Sequence, residues 1–354
     1  TTDKEYTFDN LIQNKKYNIK IVAIDSNGQK AELVIERTLG SVPDLGDKNV
    51  TFTYSVDGQI VNEKQLVNGT EKVTASTTIT GYKLQTSKDG EEWTDSTSQI
   101  FTSNGTIYAR LWDGTNYGGV ASANVTNIVE KANITTYSEI TLVAGNKKTP
   151  MLTYTGRPKT ITYSSSNTGI AQIDSNTGVV TGISGGTAQL TVTMTNYDNT
   201  VVSKTSTVTV QTAVASIEST YYSSLTDAVN DVTTATIILL QDQVEDVNIA
   251  SDKNITLNLN NKTLTGTVEN NGNLDLSGGT ISGENKWGIV NNGVVNFHSG
   301  KIQSEDGWTV ENRENGTFIM TGGTIEFTAT NKNGTAFMNR SRKGNYVRRL
   351  NNNY

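Results

Sequence analysis

Short runs of alternating apolar and polar residues repeat near the C-terminal end of the chain. Three segments align there, GNLDLSGGTISG, GVVNFHSGKIQS and GTFIMTGGTIEF, and they begin at Gly272, Gly293 and Gly316, which are 21 and 23 residues apart. Alternation predicts β-strands, and a repeat of this period predicts a solenoid in which each unit stacks on the next. We therefore expect a β-helix with three inward apolar ladders: Leu274, Val295 and Phe318; Leu276, Phe297 and Met320; Ile281, Ile302 and Ile325.

Polar residues recur at the same period and mark the corners of the predicted coils. Asn270, Asn291 and Asn312 are spaced by 21 residues, and stacked Asn side chains can hydrogen-bond each other at a turn. A two-residue insertion falls between Asn312 and Gly316. A second corner is expected at Gly279, Gly300 and Gly323.

A short amphipathic helix is predicted just before the first coil, at residues 221–232. Ser223 or Ser224 is available as its N-cap. Such a helix can cover the open end of a stack of coils, as the ends of solenoids require. Its apolar face is formed by Leu225, Ala228, Val229 and Val232.

The segment VASIESTYYSSLTDAVNDVTTATIILLQD, with the later ITLNLNNKTLTG and GGTI units, resembles a known family. It is similar to the right-handed, pectate-lyase-like β-helix of large surface proteins in gut Firmicutes. The resemblance covers about residues 213–330 of the chain. It implies adhesion or display at the cell surface more often than catalysis.

Residues 131–212 resemble the bacterial immunoglobulin-like group 2 domain, through ITYSSSNTGIAQIDSNTGVVTGISGGTAQLTVTMT. We expect Ile170 and Ile173 to point inward, and SNTG at 175–178 to turn the chain. Val180 and Ile183 should then re-enter the core. Gly185 and Gly186 bend the chain into long strands in which the inward residues are Leu190, Val192 and Met194.

Residues 1–38 resemble the second half of a fibronectin type III domain, with Leu11 and Tyr17 at the spacing of a tyrosine corner. Gln13 stands where that family usually has Pro. DSNG at 25–28 predicts a hairpin turn, and the first half of the sandwich is missing. We expect either under-supported strands or strands that pair onto the next domain, and a chain that is a piece of a longer protein. The predicted inward face is Tyr17, Ile19, Ile21 and Ala23.

Residues 39–130 are predicted to form an Ig-like β-sandwich module with strands in TFTYSV, KVTAST, GYKLQTS, GTIYARLWD and ASANVTNI. SKDGEEW supplies an Asp-Gly turn before Trp93. The phrase YARLWDGTNYGGVASANVTNI resembles Ig-like stalk modules of clostridial surface and prophage proteins. The expected core residues are Tyr82, Leu84, Tyr108 and Leu111.

The predicted fold class is therefore all-β: tandem β-sandwiches, Ig-like and fibronectin-like, followed by a right-handed parallel β-helix with a short N-terminal capping helix. The expected domains are residues 1–38, 39–130, 131–212 and 213–354.

Composition and net charge limit the kinds of partner and of metal site that the chain can have. The 354 residues carry a net charge of −6 and include one His and no Cys, so disulfides and thiolate metal sites are excluded. The acidic balance argues against nucleic acid as a partner, and no apolar run reaches the length of about 20 residues that spans a membrane. The basic segment from Thr328 to Tyr354 has three interpretations: a frayed C-terminal cap, which we favour, a basic contact patch, or an artificial end of the reading frame.

A glycosidase site on the predicted β-helix would need two carboxylates about 5–9 Å apart. Glu284 and Glu305 are 21 residues apart and would stack on adjacent coils, where they could bind a cation, although solvated turn residues are the favoured interpretation. His298 aligns with Thr321 and Ser277, an ordinary polar position. No catalytic residue, metal site or cofactor is predicted. The carboxylates available are Asp275, Glu284, Glu305, Asp306, Glu311 and Glu314.

Trp287 and Trp308 are the candidate binding residues. They are 21 residues apart and should stack on consecutive coils. An aromatic pair of this kind could be a platform for sugar rings, or a structural ladder that covers the flank of the solenoid, which we favour.

The sequence thus predicts a non-catalytic, adhesin-like stalk protein of the bacterial cell surface, or a secreted one. β-Sandwich spacers would present a β-helix for contact with a host surface ligand or a glycan, and the chain is expected to be monomeric. The alternatives are a polysaccharide-active β-helix enzyme, either lyase or glycosidase, and a phage tail-fibre component. A carboxylate cluster in a groove would favour the enzyme, and a trimeric solenoid would favour the fibre.

Overall fold

The computed structural model describes residues 8, 11, 15–38, 40, 42–283, 287–329 and 334–340. These residues lie almost entirely in strands, turns and loops. The chain forms two compact units. The first comprises Thr1–Asn133, Thr155–Thr160 and Thr195–Val201, and the second comprises Ile134–Tyr154, Ile161–Met194 and Val202–Tyr354.

The described N-terminal strands form a hairpin. β1 (Lys16–Ile24) pairs antiparallel with β2 (Lys30–Thr38), and Asp25 accepts hydrogen bonds from the backbone of the turn between them, as DSNG predicts. The two strands form a sheet of their own. Of the predicted inward face, Ile21 is 50% exposed and Ala23 is exposed, whereas Tyr17 and Ile19 are half-buried. The expectation of under-supported strands is confirmed, and Gln13 lies outside the described residues.

The first β-sandwich consists of a four-stranded sheet in the order β4-β3-β5-β7 and a three-stranded sheet in the order β6-β8-β9. A four-residue helix precedes them. The elements are α1 (Gly46–Asn49), β3 (Val50–Val56), β4 (Gln59–Val61), β5 (Glu71–Thr77), β6 (Lys83–Ser87), β7 (Ser98–Phe101), β8 (Gly105–Trp112) and β9 (Ala121–Val125).

Alternation along β8 decides which residues enter the core of this sandwich. Ile107, Ala109 and Leu111 are fully buried, so Tyr108 points to the opposite face, where it lies beside Gly90. The prediction of Tyr108 as a core residue is therefore wrong: its neighbours Ile107 and Ala109 are the buried residues. Leu111 is confirmed, and Tyr82 and Leu84 pack against the buried cluster from its edge.

One ionisable group is enclosed in the first sandwich. Asn127 donates a hydrogen bond of 2.8 Å from its amide to the Glu71 carboxyl, whose second oxygen has no hydrogen-bond partner. Burial raises the pKa of Glu71, and the Asn127 hydrogen bond only partly opposes that shift.

The second β-sandwich contains the sheets β11-β18-β17-β14, β12-β16-β15 and β10-β13. Leu190, Val192 and Met194 are fully buried as predicted, and Gly178 turns the SNTG segment with φ +71°. Ile183 is 43% exposed, so its predicted return to the core is wrong. The strands are β10 (Asn133–Tyr137), β11 (Ile140–Val143), β12 (Lys147–Lys148), β13 (Leu152–Thr155), β14 (Thr160–Ser165), β15 (Ala171–Ile173), β16 (Val180–Gly182), β17 (Gly186–Thr195) and β18 (Val201–Gln211).

The C-terminal region begins with a pair of antiparallel strands and the predicted helix. These elements are β19 (Ala215–Ile217), β20 (Thr220–Tyr222) and α2 (Leu225–Asp231). Ser224 is the N-cap of α2 and accepts a hydrogen bond from the Asp227 amide at 2.9 Å. Leu225, Ala228 and Val229 are fully buried in the same cluster as the first coil, which confirms the helix as a cover for the open end of the stack.

The coils that follow contain three strands each. They are β21 (Thr234–Leu239), β22 (Gln243–Val244), β23 (Val247–Ile249), β24 (Asn254–Asn258), β25 (Thr263–Thr265), β26 (Val268–Asn270), β27 (Asn273–Ser277), β28 (Thr280–Ser282), β29 (Ile289–Asn291), β30 (Val294–Phe297), β31 (Lys301–Ser304), β32 (Trp308–Asn312), β33 (Thr317–Met320), β34 (Thr324–Phe327) and β35 (Thr335–Asn339).

Equivalent strands stack into three sheets, which we call the first, second and third faces. Their orders are β20-β19-β21-β24-β27-β30-β33, β22-β25-β28-β31-β34 and β23-β26-β29-β32-β35. Every pairing from one coil to the next is parallel, so this region is a parallel β-helix. The right-handed sense of the coil stays a prediction, in line with the general preference of parallel crossovers.

The predicted ladders are confirmed residue by residue. Leu274 pairs with Val295 and Val295 with Phe318, and the other two apolar ladders hold the same register. In the Asn ladder, Asn270 donates to Asn291 at 2.9 Å and Asn291 donates to Asn312 at 2.8 Å. The ladder continues to Asn339 on β35, so TAFMN does form a further strand of the stack. Residues 330–333 and 341–354 of the basic segment lie outside the described residues.

Candidate functional site

An aromatic stack runs along the third face. Trp287 precedes β29 and Trp308 begins β32, and the pairing of these strands sets the two indoles one above the other. Their ring centroids are 6.5 Å apart with an angle of 24° between the planes. The guanidinium carbon of Arg340, just after β35, lies 4.6 Å from the Trp308 ring centroid. Trp308 therefore has a neighbour from the coil before it and another from the coil after it.

Trp287 lines a cleft of about 350 Å³ on the third face. Its indole is 37% exposed. The cleft crosses four coils of the β-helix, and the residues that line it include two carboxylates, an amide, a guanidinium and an aliphatic side chain. They are Asp246, Val247, Asn248, Thr267, Glu269, Trp287, Val290 and Arg313.

Strand alternation explains why these side chains meet. In the three-residue strands β23, β26 and β29 of the third face, the first and last residues point inward, so the middle residue points outward. Asn248 pairs with Glu269, and Glu269 pairs with Val290, which forms the floor of the cleft. Val290 points outward and is only 3% exposed, and it is one of the residues that line the cleft.

Glu311 continues the same outward column and is 4% exposed. One carboxylate oxygen accepts a hydrogen bond from Arg313 Nε at 3.2 Å, and the other forms an ion pair with Arg340 Nε, also at 3.2 Å. A buried carboxylate needs such partners, and here it holds both guanidinium groups in place. Glu311 thus fixes Arg313 at one end of the cleft and Arg340 against the Trp308 ring.

Arg313 comes from the interruption of the repeat. It occupies the position that Asn271 and Asn292 hold in the two preceding coils, and the loop of the two-residue insertion follows it. We did not predict Arg313 as a site residue. The feature of the sequence that could have indicated Arg313 is the two-residue insertion, because a loop added to one coil of a solenoid projects from its surface.

Asp246 and Glu269 were also not predicted, because they lie in the first two coils, before the three aligned segments that begin at Gly272. Asp246 Oδ1 accepts a hydrogen bond from the Thr267 amide at 2.8 Å, and the Thr267 hydroxyl donates to the Trp287 carbonyl at 2.8 Å. These bonds connect three successive coils at the edge of the cleft and hold the Trp287 backbone.

The other predicted polar residues lie elsewhere. Asp275 is on the first face, where its carboxylate accepts a hydrogen bond from Asn296 at 2.8 Å, and Glu311 is on the third face. His298 lies 3.0 Å from the Thr321 hydroxyl, in the polar position predicted for it. Glu284 lies outside the described residues, so its pairing with Glu305 stays a prediction. Among the described residues, no group of three or more His, Cys, Asp or Glu side chains could hold a metal ion.

No protein-family model matches the chain, and no curated protein sequence is significantly similar to it. Solved structures of tandem extracellular domains are similar in part. Extracellular domains 3–5 of Drosophila OTK are 14% identical over 52% of this chain and 68% of that one, with a TM-score of 0.28. Immunoglobulin domains 1–4 of Sidekick-1 are 12% identical over 57% and 60%, with a TM-score of 0.29.

The C-terminal 282-residue fragment of intimin, solved in complex with the intimin-binding domain of the translocated intimin receptor, is 14% identical over 47% of this chain and 66% of that one, with a TM-score of 0.27. The chain spans less than two thirds of the Sidekick-1 and intimin structures. Superpositions at this level establish no shared function. Within the part of the chain that the structure describes, no helix is both long and apolar enough to cross a bilayer.

Proposed function

We propose that the third face of the β-helix binds an uncharged glycan in the cleft beside Trp287, and that the chain is a non-catalytic, adhesin-like stalk protein. The observation that carries the proposal is the meeting of Trp287 with Asp246, Asn248, Glu269 and Arg313 in one cleft. Sugar rings pack their apolar C–H faces on an indole, while carboxylate, amide and guanidinium groups bond to their hydroxyls.

The charges in the cleft favour a neutral ligand. Asp246 and Glu269 contribute two carboxylates, and the charge of Arg313 is already paired with Glu311. An acidic sugar would meet net repulsion there, whereas hydroxyl groups accept and donate without it. Of the two indoles, Trp287 is the platform, because Trp308 is enclosed between Trp287 and Arg340.

The β-sandwiches are proposed to be spacers that carry the β-helix away from a bacterial surface. Two features support this: sandwich follows sandwich along the chain, and the enclosed Asn ladder and apolar ladders make the β-helix a rigid frame for its flank. The extracellular location, the bacterial source and the monomeric state belong to the same proposal.

Screening the whole chain on a glycan array, followed by calorimetric titration with the best neutral glycan, tests the proposal. Trp287→Ala is expected to weaken binding by at least about tenfold, because stacking and buried area are lost together. Trp93→Ala, which removes an indole from the first sandwich, is the matched control and should leave this affinity unchanged. Binding of the neutral glycan that survives Trp287→Ala, Glu269→Gln and Arg313→Ala would place the site elsewhere and overturn the proposal.

A second candidate function is glycoside cleavage in the same cleft, because Asp246 and Glu269 both line it. The hydrogen bond from the Thr267 amide to Asp246 favours a structural role for that carboxylate. Incubation of the chain with its bound glycan distinguishes the two functions. Release of reducing ends that Asp246→Asn and Glu269→Gln both abolish would support an enzyme, whereas an intact glycan after long incubation supports simple binding.

A further inference from the structure

A second cluster of aromatic and cationic side chains lies on the outward face of the first sandwich, on β6 and β8. Arg110 of β8 is enclosed between two rings: its guanidinium carbon lies 4.1 Å from the Trp93 ring centroid and 3.6 Å from that of Tyr117. Trp93 comes from the Asp-Gly turn after β6, and Tyr117 bridges back to Trp112. With both faces covered, the guanidinium can bind a further group only at its edge.

The same guanidinium is held by a chain of polar bonds. Arg110 Nε donates to the Gln85 side-chain oxygen at 3.0 Å, and the Gln85 amide nitrogen donates to Asp95 at 2.6 Å. Gln85 is 8% exposed, so this arrangement is fixed within the sheet. A neutral side chain therefore stands between Arg110 and the nearest carboxylate in the chain of bonds.

The charge of Arg110 is consequently uncompensated. Asp95 pairs with Lys83 at 3.6 Å, and in the described segment 42–283 Arg110 itself has no ion pair with a carboxylate. Its hydrogen bond to Gln85 uses only Nε, which leaves the N–H groups of both terminal nitrogens available. An arginine with a purely structural role would more simply be paired with an acid, as Arg313 is with Glu311.

A cavity of about 360 Å³ adjoins this cluster. Lys83 and Trp112, which line the cavity, pair with each other across β6 and β8. This pair is two residues along from the pair of Gln85 and Arg110, so both pairs lie on the same face of the sheet. Lys83 Nζ lies 5.2 Å from the Trp112 ring centroid. The carboxylate of Asp113 is occupied by the backbone amides of Thr115 and Asn116. The cavity is lined by Gly81, Tyr82, Lys83, Trp112, Asp113 and Gly114.

We propose that this face of the first sandwich is a binding site for a carboxylated sugar, a hexuronate or sialic acid residue of an acidic glycan. The carboxylate of the sugar would receive two parallel hydrogen bonds from the terminal nitrogens of Arg110, the geometry that guanidinium and carboxylate groups share. Lys83, whose charge is partly neutralised by Asp95 at 3.6 Å, lies at the edge of the cavity, and the ring of the sugar enters the cavity beside Trp112 and Tyr82. The guanidinium group of Arg110 is preorganised for binding, because the two rings and the hydrogen-bonded Gln85 and Asp95 fix its orientation in the absence of ligand.

This site differs from the β-helix cleft in the charge of the groups that line it. The cleft offers two carboxylates and a guanidinium already paired with Glu311, whereas the sandwich face offers an unpaired guanidinium. The two sites therefore select sugars of different charge, and a failure of one leaves the other intact. A spacer domain would then also contribute to recognition.

The test is calorimetric titration of the full chain with oligogalacturonate, a glucuronate oligosaccharide and sialyllactose, each beside its methyl ester. We expect at least one acid to bind and its ester to bind at least about tenfold more weakly, because the charge-assisted pair is lost. Equal affinity for acid and ester, or no binding by any of the three acids, would overturn the proposal.

Variants locate the site. Arg110→Lys keeps the charge and removes the planar fork, and a loss of at least about tenfold in affinity is expected. Arg157 is an exposed arginine of the second sandwich, and Arg157→Lys is the matched control, which should leave the affinity for the acid unchanged.

Gln85→Leu removes the hydrogen bond that holds Arg110 Nε, and it should weaken binding of the acid more than binding of the ester. Thermal unfolding confirms that each variant is folded, and Trp287→Ala must leave this affinity unchanged. Acid binding that withstands Arg110→Lys in a folded chain contradicts the assignment.

Discussion

The β1–β2 hairpin and the β-helix have the same alternation of apolar and polar residues, but they differ in how much of the apolar surface is buried. In the hairpin, the side chain of Ile21 is 50% exposed and that of Leu33 is 56% exposed. In the β-helix Leu274 and Leu276 are fully buried. Alternation thus specifies a strand and its two faces, whereas burial requires a second layer of structure.

The β-helix supplies that layer to itself. Each coil encloses its apolar residues between three sheets, and α2 covers the open end. The hairpin is a two-stranded sheet, a form that is marginally stable alone in water. The comparison implies that substitutions of similar residues will have very different effects in the two regions.

The largest effect is expected for Asn291→Ala in the enclosed ladder. The Asn291 amide donates to Asn312, Thr317 and Gly293, and its oxygen accepts from Asn270. Removing it leaves several buried groups unpaired, so the free energy of unfolding of the β-helix should fall by about 4 kcal/mol or more. Hydrogen exchange of amides in β27, β30 and β33 measures this loss region by region.

Asn292→Ala is the matched control for that substitution. Asn292 is the next residue, is half-buried, and donates to Asn271 at the outer side of the turn. Its loss should be below about 1 kcal/mol. Equal losses at the two positions would show that the amide ladder is not part of the core.

The second effect is a cavity in the apolar core. Leu276→Ala removes a fully buried side chain and should destabilise the β-helix by about 3 kcal/mol, since the coils above and below cannot collapse into the space. Thermal unfolding followed by far-ultraviolet circular dichroism measures it. A change within about 0.5 kcal/mol would mean that the coils are loosely packed.

A third, smaller effect concerns the carboxyl group of Glu71, one oxygen of which is buried without a hydrogen-bond partner. Burial raises the pKa of Glu71, so the folded state favours the protonated carboxyl. Stability from this group is present below its unfolded pKa of about 4.3 and is lost as pH rises through the folded value. Glu71→Gln should therefore stabilise the first sandwich at pH 7, and the gain should vanish near pH 4. A gain that is constant between pH 4 and 7 would contradict the raised pKa.

The smallest effect is expected in the hairpin. Leu33→Thr replaces an apolar side chain that is already 56% exposed, and Thr keeps the preference for a strand. The change in stability should lie within about 0.5 kcal/mol, measured by hydrogen exchange of β1 and β2 amides. A loss comparable to that of Leu276→Ala would reveal that a second layer covers the hairpin in solution.

Much of the fold could be predicted because the repeat makes distant contacts visible along the chain. The pairing of Leu274 with Val295 and the bond from Asn270 to Asn291 both follow from a spacing of 21 residues. The first two coils were expected from the resemblance, but their register was not predicted because their spacing drifts: Ile255 pairs with Leu274, only 19 residues on. Tyr108 was misassigned although alternation from the buried Leu111, three residues on, places it on the opposite face.

The candidate site could be predicted only in part. Trp287 and Trp308 were visible because they share the repeat. Arg313 and Glu269 were not, since Arg313 lies at an insertion and Glu269 lies before the three aligned segments. The pairing of Arg340 with Trp308 and Glu311 depends on the last coil, where the spacing from Asn312 to Asn339 is 27 residues. Arg110 lies between rings that only the folded sandwich brings together.

The central claim is that Trp287 forms the glycan platform on the flank of the β-helix. The most direct test is to record the four tryptophan indole N–H signals of the ¹⁵N-labelled chain while the neutral glycan is added. The account predicts that the Trp287 signal shifts most and saturates, while Trp93 and Trp112 stay in place. A saturable shift of Trp93 or Trp112 with an unmoved Trp287 would contradict it.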